Sequence, residues 1–134
     1  EHGIASIEAW EEFAKKSFQH RKALKSMIEA ESLANKKIIG YGASARSSTL
    51  LNFCGINHNH FICVADQNPL KHNRYTPGTD IPIISPDEAL KESPDTIVIL
   101  AWNFKDEIIE DLREKGFKGN VIIPLPNDPY LLEI

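Results

Sequence analysis

The residues best suited to chemistry lie in one stretch, Ile38-Ile39-Gly40-Tyr41-Gly42-Ala43-Ser44-Ala45-Arg46-Ser47-Ser48-Thr49-Leu50-Leu51. A β-branched run meets a glycine pair, and small and hydroxyl residues then lead into an apolar helical pattern, which predicts strand, tight turn and helix start. The spacing G-x-G-x-x-A suits a turn that approaches a phosphate or carboxylate: Gly40 for the sharp turn, Gly42 for close backbone approach, Ala45 for packing of helix on strand. Tyr41, Ala43 and Ser44 belong to the same turn. The first turn of the helix holds Arg46 and no acid, a placement that is unfavourable against the helix dipole unless an anion lies nearby. Further on, Asp66 ends a second apolar run, where it could accept a ribose hydroxyl or merely cap a loop.

The elements that must position these residues follow from patterning. From Gly3 to Gly40 there is no other Gly or Pro, and Ile7, Trp10, Phe13, Ala14, Leu24, Met27 and Ile28 recur at helical spacing. This predicts a long amphipathic helix, roughly thirty residues at about 1.5 Å each and longer than a small domain is wide, so that it either projects to meet a partner or breaks and packs on its own sheet. Residues 1–36 are therefore assigned to a helical segment and 37–134 to an α/β domain. A helix after the glycine turn ends at Gly55, and His60 to Asp66 reads as the second strand. The stretch Gln67 to Asp80 has turn residues and no period, which predicts an ordered functional loop carrying Lys71, Arg74, Tyr75 and Thr76.

Ile81 to Ile84 reads as a short strand whose Pro82 suggests an edge, and Ser85-Pro86-Asp87-Glu88 is a helix start. Thr96 to Trp102 is apolar after its threonine, as in a strand buried on both faces, and Asn103 is positioned to cap a helix from Phe104 to Lys115. Val121 to Ile123 is the last strand expected, with the tail from Pro124 ending regular structure. The order implies a doubly wound parallel sheet of about five strands, 3-2-1-4-5, with ligands beyond the strand ends between strands one and four. There Trp102 and Asn103 would flank the glycine turn.

Composition narrows the function. The chain of 134 residues, 42 % hydrophobic and 25 % charged, fits one domain with a proper core. A net charge of −4 and a pI near 5.7 argue against broad nucleic-acid or anionic-membrane binding. No apolar run approaches the roughly 18 residues of a membrane span, and Cys54 and Cys63 sit among apolar neighbours as reduced core residues, so a cytoplasmic location is expected. His58 and His60 form an H-x-H pair with no third ligand at recognisable spacing, so no metal is expected. Ser44, Ser47, Ser48 and Thr49 lack a base, which leaves no catalytic residue assigned, and the charged runs Glu8 to Lys16 and Asp106 to Glu114 read as solvated helix faces. The single methionine, Met27, suggests that the chain is part of a longer one.

The blocks GYGASARSSTLLNFCGI (40–56), DQNPLKHNRYTPGTDIPI (66–83), PDTIVILAWNFKDEI (94–108) and GNVIIPLP (119–126) resemble the C-terminal domain of S-adenosylmethionine-dependent sugar C-methyltransferases, which methylate a ring carbon of nucleotide-linked deoxysugars. The resemblance implies a Rossmann-like domain that helps to bind the nucleotide-sugar. It also implies upstream domains, outside this chain, carrying zinc, S-adenosylmethionine and the catalytic residues. Arg46 stands where lysine is common in that family and keeps the charge; Ser47-Ser48 stand for Gly-Asn and His72-Asn73 for Gln-Gly. The expected ligand contacts are Gly40, Tyr41, Gly42, Ala43, Ser44, Arg46, Asp66, Lys71, Arg74, Tyr75, Thr76, Trp102 and Asn103, and the expected partners are a nucleotide-linked deoxysugar, the upstream catalytic domain and a possible second copy of the chain. A free-standing NAD- or nucleotide-binding module of oxidoreductase type, or a ligand-free interaction domain, are the alternatives.

Overall fold

In the computed structural model, which describes residues 2–134 and side chains from Ile7 onward, a 32-residue helix α1 (His2–Leu33) precedes the first strand without a break. Strand β1 (Ile38–Tyr41) leads through the glycine turn into α2 (Ala45–Cys54) and then β2 (Val64–Ala65). The long connection contains a 3₁₀ turn at Pro69–Lys71 and a two-residue strand β3 (Arg74–Tyr75) before β4 (Pro82–Ile84). Helix α3 (Pro86–Lys91), β5 (Thr96–Ile99), a 3₁₀ turn at Trp102–Phe104, α4 (Lys105–Glu114), β6 (Asn120–Ile123) and β7 (Tyr130–Glu133) complete the order.

The sheet runs β3-β4-β2-β1-β5-β6-β7. Its inner five strands are parallel and stand in the expected 3-2-1-4-5 order, with short antiparallel strands added at both edges. Each addition corrects an expectation. Pairing with Arg74–Tyr75 covers β4, so Pro82 begins a strand with neighbours on both sides rather than an edge. The tail beyond Pro124 turns back and pairs Tyr130 with Ile123 through Glu133 with Asn120. The second strand is shorter than expected, although Ile62 N–H already donates to Ile38 C=O at 3.0 Å.

Strand alternation divides the core into two layers. Ile38, Val64, Val98 and Ile122 pack with Leu24 and Ile28 of α1 and Leu51 and Cys54 of α2. Ile39, Tyr41, Ile97, Ile99, Val121 and Ile123 face Ala89 of α3 and Ile108, Ile109 and Leu112 of α4. Among the described residues of α1, Leu24 and Ile28 join this core, while Ile7, Trp10, Phe13 and Phe18 nearer its start are exposed. Glu31 pins α1 to the sheet, accepting from Thr96 Oγ1 at 2.9 Å and Asn120 Nδ2 at 3.0 Å while pairing with Lys36 Nζ at 3.2 Å. Both cysteines are free and buried.

Helix ends are set by local chemistry. Ser44 caps α2 by accepting from Ser47 N–H at 3.2 Å, and Gly55 ends it in the left-handed region at φ +70°. Ser85 caps α3 with Pro86 in its first turn. Asn103 does not cap α4: it lies inside the 3₁₀ turn, and the capping position falls on Phe104, which makes no side-chain cap.

Candidate functional site

The crevice lies beyond the C-terminal ends of β1, β2 and β5, where the chain leaves the sheet in opposite directions. Gly42 forms its centre at φ +103°, with its N–H donating to Ala65 C=O at 2.7 Å. A Cβ there would stand 2.6 Å from Ala101 Cβ, so the glycine is required by the approach of the segment that follows β5 as well as by its φ. Gly40 plays a different part from the one its place in the motif suggests. It lies within β1, not in the turn, and a Cβ would press on Leu100 and Phe61 at 2.9 and 3.1 Å. Ala45 is exposed and makes no tight helix–strand contact; Ser47, 2 % exposed, is the small residue buried in the first turn of α2.

Asp66 fills the loop-capping role of the two read for it. Its Oδ2 accepts from Ala43 N–H at 2.8 Å and its Oδ1 from Asn68 N–H at 2.8 Å, so the carboxylate organises the turn from within. Lys71 completes a clamp on the same peptide. Its Nζ donates to Ala43 C=O at 2.5 Å and lies 3.5 Å from Asp66 Oδ2, which commits much of its charge to the turn. His72 Nε2 and Asp66 C=O, 2.6 Å apart, hold the following loop. Thr76 is buried with its hydroxyl against Thr79 Oγ1 at 2.5 Å and accepts from Ile81 N–H at 2.9 Å, so it shapes the loop.

Around this clamp the crevice divides. On the α2 side, Ala43, Ser44, Ala45 and Ser48 share a cleft of about 640 Å³ with Lys71, Arg74, Tyr75 and Thr76. A neighbouring cleft of about 320 Å³ brings Ser44 and Arg46 against Leu100, Trp102 and Asn103. The two sequence-distant segments expected to meet, 40–46 and 102–103, therefore do so. Arg46 and Arg74 are exposed and make no ion pair among the described residues.

On the α4 side, Tyr41, Gly42, Asp66 and Gln67 face Ala101, Phe104, Glu107 and Ile108 across about 490 Å³. The Tyr41 hydroxyl accepts from Gln67 Nε2 at 3.2 Å, and burial, aided by the nearby Asp111 carboxylate and opposed by that bond, pushes the phenol above its ordinary pKa. Gln67, Phe104, Glu107 and Ile108 escaped the sequence reading. Their signal was weak: Glu107 and Ile108 open a helix whose charges read as a solvated face, yet its first turn looks into the crevice.

Among the described residues no group of three or more His, Cys, Asp or Glu is placed to hold a metal ion, and no helix is long and apolar enough to cross a membrane.

A family model described as the C-methyltransferase C-terminal domain matches residues 1–126. The C-methyltransferase NovU of Streptomyces niveus is 35 % identical over 127 residues, 92 % of this chain and 30 % of that protein, so the chain spans under a third of its relative's length. Among solved structures, UDP-D-quinovosamine 4-dehydrogenase from Vibrio fischeri shares 23 % identity at a TM-score of 0.49, covering 74 % of this chain and 93 % of that one. At that level of likeness nothing about activity follows.

Proposed function

This chain belongs to the C-methyltransferase C-terminal domain family, and on that premise we propose that it is the nucleotide-sugar-binding part of a longer S-adenosylmethionine-dependent enzyme. The observation that carries the reading is the α2 side of the crevice. The positive end of the α2 dipole, the Ser44 and Ser48 hydroxyls and the guanidinium groups of Arg46 and Arg74 flank one end of the sheet, an arrangement suited to a diphosphate. Arg46 opposes the helix dipole when the site is empty and complements an anion when it is filled. The ligand class we propose is a nucleoside diphosphate linked to a deoxysugar.

In this reading the chain binds and positions, while methyl transfer takes place on an upstream domain that supplies S-adenosylmethionine, the catalytic groups and zinc. The exposed face of α1, where Trp10 and Phe13 stack at 5.8 Å, is the surface we assign to that domain. An NAD-binding reading is less well supported, because the Asp66 carboxylate already accepts two backbone N–H groups.

Separate titrations with a dTDP-deoxysugar, NAD and S-adenosylmethionine, followed by amide NMR shifts, test the proposal. Shifts around Ser44, Arg46, Ser48 and Arg74 with the first ligand alone support it. Response to NAD alone, or to none of the three, removes it.

A further inference from the structure

The compartment on the α4 side is opposite in character to the clefts around the α2 start. Gly42 and Ala101 floor it, and Phe104, 61 % exposed, and Ile108 give it an apolar wall. Its ionisable lining is Asp66, Glu107 and the neutral phenol of Tyr41, with no Lys or Arg among the residues that form it. A phosphate there would meet Glu107, which pairs with no cation among the described residues, and an Asp66 whose countercharge, Lys71, lies in the clamp. Gln67 directs its Nε2 to the Tyr41 hydroxyl, which leaves its carbonyl oxygen as an acceptor.

An aromatic and aliphatic wall opposite a set of acceptors matches a ring with one apolar face and outward hydroxyl donors. C–H groups would lie on Phe104 and Ile108, and O–H groups would donate to carboxylate oxygen, a stronger bond than to a neutral acceptor. Resting on the nucleotide-sugar reading above, we infer that this compartment receives an uncharged hydroxylated ring of the ligand, with Phe104 as its stacking face and Glu107 as its hydroxyl acceptor. The diphosphate lies on the other side of the Asp66–Ala43–Lys71 clamp. Both the pentose of the nucleoside and the hexose have this chemistry.

The test titrates the 134-residue chain with three probes separately, inorganic pyrophosphate, a methyl hexopyranoside and a deoxynucleoside, and follows backbone amides. One of the two ring probes is expected to shift Gln67, Glu107 and Ile108, which line this compartment and neither α2-side cleft, and which one does so identifies the ring; pyrophosphate leaves this set in place. With each variant checked for an otherwise unchanged amide spectrum, Glu107→Gln should weaken the ring probe by about ten-fold, the loss expected of one charge-assisted contact, and Phe104→Ala by about five-fold through the lost stacking face. Pyrophosphate shifting this set, or neither ring probe shifting it at tens of millimolar, overturns the inference. Its failure is separable from that of the functional proposal. A nucleotide-sugar that binds through Arg46 and Arg74 while the ring probes leave this pocket untouched preserves the function and removes the ring site.

Discussion

The Asp66 carboxylate accepts the Ala43 N–H at 2.8 Å and so occupies, from inside the protein, one of the donors that a glycine turn offers to a ligand. Lys71 holds the carbonyl of the same residue. The turn is thereby fixed before any ligand arrives, which lowers the ordering cost of binding.

Asp66→Ala should destabilise the protein by about 1.5–3 kcal/mol, the loss expected when partly buried N–H groups lose a charged acceptor. Urea unfolding measures the loss, and hydrogen exchange at Ala43 should quicken. Unchanged exchange at that amide would show that the clamp does not hold the turn.

Gly42 and Gly116 separate backbone strain from crowding. Both have positive φ, +103° and +85°, but a Cβ at Gly116 meets nothing within 4 Å while one at Gly42 meets Ala101 at 2.6 Å. Gly116→Ala should cost about 1 kcal/mol and Gly42→Ala about 3 kcal/mol or more. Similar thermal midpoints for the two variants would contradict this. For the same reason Gly42→Val is a poor probe of ligand approach, since its side chain strikes Ala101 before any phosphate.

Much of this arrangement was legible in the sequence because it is locally determined. Thr96 to Leu100 reads as a doubly covered strand from its apolar run, and Ser85-Pro86 announces a helix by its own capping chemistry. What escaped depends on tertiary pairing. Tyr130-Leu131-Leu132-Glu133 has no strand signature and becomes β7 only because the edge of β6 accepts it. Asp66 and Lys71 were read as ligand contacts, Asp66 with loop capping as its alternative, but their commitment to Ala43 follows from how the loop folds back. The α4 side of the crevice stayed hidden because Glu107 reads as a solvated charge until the 3₁₀ turn at Trp102–Phe104 aims it.

Glu31 makes α1 part of the domain. Burial alone would raise its pKa, but bonds from Asn120 and Thr96 and the pair with Lys36 outweigh this and hold it below the ordinary 4.5. A depressed carboxyl contributes stability above the unfolded value, and that contribution is lost as pH falls through the folded pKa. Glu31→Gln should lower stability at neutral pH by about 2 kcal/mol and flatten the acid limb below pH 4.5. Urea midpoints at neutral and acid pH check both effects; a parallel acid limb in the variant would dismiss Glu31 as its source.

The buried thiols act at the other end of the scale. Burial pushes Cys54 up to about 11 and Cys63 up to about 12 from an ordinary 9. Their contribution is complete below 9 and is lost as pH rises through the folded values, at about 1.4 kcal/mol per pH unit for each thiol. Cys63→Ala, weaker by about 1 kcal/mol at neutral pH, should therefore lose stability less steeply between pH 9 and 11 than the parent. Equal slopes would remove Cys63 from the account.

The central claim is that cations beside the α2 start hold a diphosphate, and calorimetric titration of a dTDP-deoxysugar into the parent, Arg46→Ala and Arg74→Ala proteins tests it most directly. Arg46 is exposed at the positive end of a helix, so its removal should leave folding intact. The account predicts measurable binding to the parent and affinity weaker by about ten-fold in each variant. Three equal affinities, or no binding heat in the parent at any ligand concentration reached, would contradict it.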